Sequence, residues 1–225
     1  MSSQRLIVLF DIDLTLIRNP VDRQAIGAAL DEATGVPGLL EQFDYRGRSD
    51  RWLVDAVAHA HGFDIDTLFR DYSASYRRVL PEMLASLPPS TLPGAIEVLR
   101  ALRERPETTL GVETGNLHEN AVTKLAHGRV LEFFDPLLGG FGDDHDDRAE
   151  IVRAAMRACG AVEGDRVVVV GDTVHDVRAA LAAGALPIGV TTGHSSADEL
   201  VEAGATAVLP DLTDGPRALR AIMGE

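Results

Sequence analysis

Asp11 and Asp13 stand two residues apart, directly after the apolar run Leu6-Ile-Val-Leu-Phe10. In extended chain that spacing sends both side chains to the same side, so two carboxylates are aimed into one crevice. Asp172 and Asp176 follow a second such run, Arg166-Val-Val-Val-Val170, within Gly171-Asp-Thr-Val-His-Asp176. Carboxylates that converge in a dry crevice repel one another unless a cation sits among them. Oxygen-only donors without cysteine or histidine favour Mg2+, which takes few protein carboxylates and keeps waters. A third apolar run at 109–112 leads into Glu113-Thr-Gly-Asn116. There a hydroxyl, a permissive glycine backbone and the start of a helix make a cradle for phosphate.

These groups need strand ends to hold them, and the surrounding pattern supplies them. The runs at 6–10, 109–112, 166–170 and, more weakly, 186–190 are continuous enough for strands buried on both faces. Helical spacing separates them: Ala95, Ile96, Leu99 and Leu102 after Pro93; Ile151, Val152, Ala155 and Met156; then Val174, Val177, Ala180 and Leu181, ending at Gly184. Strands alternating with helices predict a doubly wound, mostly parallel α/β sheet, whose ligands bind beyond the carboxyl ends of the strands.

Residues 18–90 depart from that rhythm. Helical patterns run at 22–33, at 49–60 and from 66 to about 84, with Pro81 expected to kink or break the last. The proline-rich stretch at 87–93 reads as a linker. The expected organisation is an α/β core at 1–17 and 91–225 with an inserted helical cap at 18–90.

Composition narrows the function. The 225 residues include 35 Asp and Glu against 21 Lys and Arg, a net charge of −14. A chain this acidic, without a basic stripe, is a poor partner for nucleic acid or an anionic membrane. No cleavable signal pattern opens it, and a soluble cytoplasmic protein, monomer or homodimer, is expected. The single cysteine, Cys159, excludes a disulfide framework and sits in an apolar helix, where it is expected to be inert. Lys124 is the only lysine.

The ordered set of motifs resembles the haloacid dehalogenase superfamily, in its phosphoglycolate-phosphatase-like branch with a helical cap. Asp11-Ile-Asp13-Leu-Thr15 resembles the first motif, Thr114 the second, Arg148 the basic residue of the third, and Gly171-Asp172…Asp176 the fourth. Lys124 competes with Arg148 for the third role, but its neighbours Leu125 and Ala126 look like packing, which favours Arg148.

The resemblance implies a Mg2+-dependent phosphatase acting on a small organic phosphomonoester. Asp11 would be the nucleophile that forms an aspartyl-phosphate, and Asp13 the general acid and base. Thr114, Gly115 and Asn116 with Arg148 would hold the phosphoryl oxygens. Mg2+ would lie on Asp11, the backbone at Asp13, Asp172 and Asp176. A glycine-containing cap stretch, Arg46-Gly47-Arg48, would face the nucleophile and offer an arginine to the organic part of the substrate; alternatively, Ser49 or Asp50 simply caps the next helix. A sugar phosphomutase similar to β-phosphoglucomutase shares this core and is the alternative, with a non-catalytic binding module as a third reading. Dehalogenation would need no acid at Asp13, and a Schiff-base hydrolase would need a cap lysine, absent from 18–90. Glu113 has no assigned part. The acidic run at 143–147 is expected to complement a helix dipole.

Overall fold

The computed structural model describes residues 5–225. Leu6–Phe10 forms the central strand β1, buried along its whole length. It is flanked by β2 (Thr108–Glu113) and β4 (Arg166–Gly171), both parallel to it. β3 (Gly139–Gly140) extends the sheet beyond β2, while β5 (Leu186–Val190) and β6 (Ala207–Leu209) extend it beyond β4. Among the described residues the sheet has six strands in the order β3-β2-β1-β4-β5-β6, every pairing parallel. β1, β2, β4 and β5 fall on the four apolar runs of the sequence, whereas β3 and β6 were not expected, being too short to announce themselves by period.

Alternate residues of the strands serve opposite faces, as the pleat requires. Val8, Phe10, Val168 and Val170 pack with α4 (Ala95–Arg103), α5 (His118–His127) and α9 (Gly215–Met223). Ile7, Leu9, Val167 and Val169 pack with α6 (Arg148–Ala158) and α7 (Val174–Ala183). Cys159 closes this second layer, and burial pushes its thiol up to about 11, which keeps it a protonated apolar filler. α8 (Ala197–Ala203) covers the β5–β6 side through Leu200.

Between β1 and α4 lie α1 (Asp22–Thr34), α2 (Asp50–His61) and α3 (Ile65–Leu84), an all-helical insert with its own apolar cluster around Leu30, Leu53, Tyr72, Tyr76 and Leu80. α3 continues through Pro81 to Leu84 instead of breaking there. The missing proline N–H falls in the last turn of the helix, where it removes one bond and leaves Ala85 N still donating to the Pro81 carbonyl. Ser49 caps α2 by accepting the Trp52 N–H, so the capping role foreseen for this loop is filled. No helix of the described residues is long and apolar enough to cross a membrane.

Register brings the candidate chemistry to one level. Phe10 lies beside Val112 on one side and Val170 on the other. The residues that follow, Asp11 and Asp13, Thr114, and Asp172, therefore leave the sheet together. β1 and β4 are also where the strand order turns from one direction to the other, the place at which open α/β sheets form a crevice.

Candidate active site

Asp11 continues the ladder of β1 by donating its N–H to the Val170 carbonyl at 2.9 Å. The chain then turns sharply: Leu14 adopts φ 60°, and its N–H reaches the Ile17 carbonyl at 2.7 Å. A non-glycine residue in this left-handed region is strained. The turn holds Asp11 buried and Asp13 half-buried against a cleft of about 140 Å³ that both line.

Asp11, Asp172 and Asp176 each offer a carboxylate oxygen, and these atoms lie within 4.8 Å of one another. Burial and the neighbouring Asp176 and Asp11 push the Asp172 carboxyl up to about 9; burial, against the pull of Arg148, raises Asp11 to about 7. Three buried carboxylates at that separation fit a hard divalent cation, which relieves the same repulsion that raises them. The Asp13 carboxylate lies outside this trio, so any share it takes in the metal falls to its backbone. Gly193, in the loop after β5, makes room for Asp172: a Cβ there would stand 1.6 Å from Asp172 Oδ2.

Arg148 opens α6 behind its N-cap Asp147, whose side chain accepts the Ala149 N–H. Its Nη2 donates to Asp11 Oδ1 at 2.9 Å and to Asp176 Oδ1 at 2.6 Å, and its Nε donates to Glu113 Oε2 at 3.0 Å. Glu113 is fully buried, and burial drives its carboxyl well up against the pull of that guanidinium. The acid left unexplained by the sequence is thus the inner partner that aims Arg148 at Asp11.

Thr114 is fully buried, and its Oγ1 accepts from Asn116 N at 3.3 Å and from Asn116 Nδ2 at 2.7 Å. Asn116 also directs its amide to Asp13, with Nδ2 donating to Asp13 Oδ2 at 2.8 Å. Gly115 packs directly against the insert, since a Cβ there would lie 2.5 Å from the Arg48 carbonyl oxygen. Asp50 N donates to the Gly115 carbonyl at 2.8 Å, while the Asp50 carboxylate accepts the Leu117 N–H at 3.0 Å and the Tyr72 hydroxyl at 2.9 Å. An acid of the insert thereby pairs the buried N–H of Leu117, the residue that precedes α5, whose own side chain makes no capping bond.

The two arginines of the insert loop differ. Both line the cleft. Arg46 is mostly exposed and engaged with Asp44 at 2.8 Å. Arg48 lies over Trp52, its Cζ 4.8 Å from the ring centroid.

Lys124, set aside in the sequence as a packing position, is fully buried and bonded to Asp13 Oδ2 at 2.7 Å and Asn116 Oδ1 at 2.5 Å. Arg148 touches Asp11 and Lys124 touches Asp13, so each of the two basic residues serves a different member of the first acidic pair. The acidic run at 143–147 stays apart from the trio: Asp143 accepts the His118 N–H at 2.5 Å, and Asp147 caps α6.

The haloacid dehalogenase-like hydrolase family matches residues 6–184. The validoxylamine A 7'-phosphate phosphatase of Streptomyces hygroscopicus subsp. limoneus is 31% identical over 213 residues, covering 92% of this chain and 94% of that protein. A probable phosphatase, IndB, of Dickeya dadantii (strain 3937) is 27% identical, covering 96% and 94%. A solved β-phosphoglucomutase of Clostridium difficile superposes with a TM-score of 0.73 over 98% of each chain at 14% identity, a likeness of fold. Family match, relatives and the ordered acids at the strand ends agree: the chain belongs to the haloacid dehalogenase-like hydrolases and is a phosphatase.

Proposed function

We propose that this phosphatase hydrolyses a small organic phosphomonoester with Mg2+ through an aspartyl-phosphate on Asp11. The observation that carries the reading is the division of labour between Asp11 and Asp13. Asp11 joins the metal-competent trio and is held by Arg148. Asp13 is held on one oxygen only: Asn116 and Lys124 both donate to Oδ2, and Oδ1 is buried without a partner in the protein. A carboxyl fixed on one oxygen presents the other for proton transfer.

In the first step the Asp11 carboxylate attacks phosphorus and the bond to the ester oxygen breaks. The proton on Asp13 Oδ1 passes to that leaving oxygen. In the second step a water attacks the aspartyl-phosphate and gives its proton to Oδ1, while the bond to Asp11 breaks and phosphate is released. Each half is easier than one direct displacement. Thr114, the Gly115 and Asn116 amides and Arg148 are the donors assigned to the phosphoryl oxygens. Asp11, Asp172 and Asp176, with the backbone at Asp13, would hold Mg2+, whose charge offsets the repulsion between nucleophile and substrate.

Residues 18–90 act in this reading as a cap over the core at 1–17 and 91–225, excluding bulk water and selecting the organic group. Arg46 and Arg48 are the cap side chains assigned to the substrate. Hydrolysis is favoured over phosphomutase chemistry because the two relatives are named as a phosphatase and a probable phosphatase, whereas the mutase likeness is one of fold.

Phosphate release from a panel of small phosphate esters, with and without chelator, tests the proposal. Mg2+-dependent turnover of at least one ester, lost in Asp11→Asn with the fold retained, is expected. Full activity after chelation, or in Asp11→Asn, would overturn it.

A further inference from the structure

Lys124 has three acceptors, and the third belongs to the helical insert. Its Nζ lies 2.7 Å from Asp13 Oδ2, 2.5 Å from Asn116 Oδ1 and 2.7 Å from Asp22 Oδ1. An ammonium carries three donors, so these contacts use its full capacity. Asp13 and Asn116 stand on loops beyond β1 and β2, but Asp22 is the first residue of α1. Asp22 is in turn held by the Tyr76 hydroxyl of α3 at 2.7 Å and by Asn19 Nδ2 at 3.3 Å. A buried ammonium is tolerated only where its donors are matched. The third match exists only while the insert is docked.

We propose that Lys124 is a positioning residue for Asp13 whose own placement is completed by Asp22, so that docking of the helical insert sets the general acid and base. The inference rests on the assignment of Asp13 to proton transfer. Lys124 and Asn116 approach the same oxygen, Oδ2, from different elements, and the carboxyl cannot rotate without breaking both bonds. Oδ1 is thereby held in one direction. When the insert lifts, Lys124 loses Asp22, one of its three donors is left unmatched in a buried site, and the side chain no longer has a single favoured orientation. Proton transfer is then coupled to closure: an open, wet cleft has a poorly aimed acid, and a closed one has a fixed acid. Nothing in this scheme requires Lys124 to touch the substrate.

The test compares two esters in the full-length protein. One is an alkyl phosphate that the wild type turns over, whose alkoxide must be protonated as it leaves; the other is 4-nitrophenyl phosphate, whose leaving group needs little protonation. Lys124→Met and Asp22→Asn are expected to lower kcat/KM, which reports only the steps up to departure of the leaving group, about 10–100-fold on the alkyl ester with a loss under about 3-fold on the aryl ester, because misaiming a catalytic group costs on this order. Lys124→Met leaves a buried carboxylate unmatched, so the double variant Lys124→Met/Asp22→Asn is measured beside it, and the same selectivity is expected there. Equal losses on both esters, or none, in the folded variants would overturn the inference. Selective loss in Lys124→Met with none in Asp22→Asn would overturn the link to the insert. Asp13→Asn separates the two levels: if it shows the selective loss and the Lys124 variants do not, only the positioning role falls; if Asp13→Asn shows none, the assignment of Asp13 itself falls.

Discussion

Arg148 Nη2 lies 2.9 Å from Asp11 Oδ1, joining the first residue of α6 to the carboxylate that leaves β1. The same guanidinium donates to Glu113 and Asp176. It is therefore a hub that bonds three buried acids and fixes the orientation of the Asp11 carboxylate, a task for which a planar fork of five donors is suited and a lysine is not.

That arrangement separates stability from catalysis. Arg148→Met should remove activity and also destabilise the protein by about 3–5 kcal/mol, since it leaves buried Glu113 without its partner. Adding Glu113→Gln should return most of the stability and none of the activity. Chemical denaturation and phosphate release on the two variants check this; recovery of activity in the double variant would show that Arg148 has no part in catalysis.

The four longer strands, the ordered acids and the helical insert were legible because each leaves a local trace. Buried parallel strands need continuous apolar runs, and DxD or GDxxxD needs only a few neighbouring positions. Lys124 was not legible in that way. It occupies the buried face of α5 beside Ala121 and Leu125, where helical period predicts an apolar residue, and the acid that justifies it is 111 positions away. Glu113 is similar: its partner Arg148 is 35 positions away. For Asp50 the sequence offered only a helix-capping alternative shared with Ser49, whereas its carboxylate reaches the start of α5, 67 positions along the chain. Charges satisfied only by tertiary contact carry no period, so the sequence pattern misreads them as packing or as surface.

Metal binding should release protons. Burial is the first cause that pushes the Asp172 carboxyl up from 3.8 to about 9 and the Asp11 carboxyl up to about 7. Near pH 7.5 Asp172 therefore holds its proton, and a divalent cation must displace it. Mg2+ affinity is expected to rise with pH across the window from about 7 to 9, with proton release measurable by titration in two buffers of different ionisation enthalpy. The sign for stability follows. Groups raised in the folded state stabilise it fully below pH 3.8 and lose that contribution as pH rises through 7 and 9. The chelated protein should thus melt lower at pH 8.5 than at pH 6, and Mg2+ should reverse the trend. A pH-independent Mg2+ affinity would contradict the trio as the site.

Gly193 offers a way to disable the proposed metal site without replacing any of its three carboxylates. A Cβ at this position would sit 1.6 Å from Asp172 Oδ2, inside any allowed contact, so Gly193→Ala must displace the carboxylate. The expected result is a fall in Mg2+ affinity of the same order as in Asp172→Ala, with the fold intact by circular dichroism. Wild-type affinity in Gly193→Ala would mean that Asp172 does not bind the metal.

The insert arginines should prove unequal. Arg46 is already paired with Asp44 in solvent, and exposed pairs of this kind contribute little. Among the described residues Arg48 has no carboxylate partner; it rests on the Trp52 ring, which holds its chain in place while leaving the guanidinium donors for a ligand. For a substrate carrying a carboxylate or hydroxyls, Arg48→Ala is expected to cost about 1.5–3 kcal/mol in kcat/KM, the range for a charge-assisted hydrogen bond. Arg46→Ala should change it far less. Against 4-nitrophenyl phosphate, which offers the insert no such group, the Arg48→Ala loss should largely vanish. Equal losses on both substrates would place Arg48 in a structural role or on the phosphate. The same assay separates hydrolysis from transfer: a phosphatase must admit water to the aspartyl-phosphate, whereas a mutase must hold water out until its substrate returns in the second orientation. Release of phosphate in step with substrate loss is expected, and interconversion of sugar phosphates without that release would make the mutase reading correct.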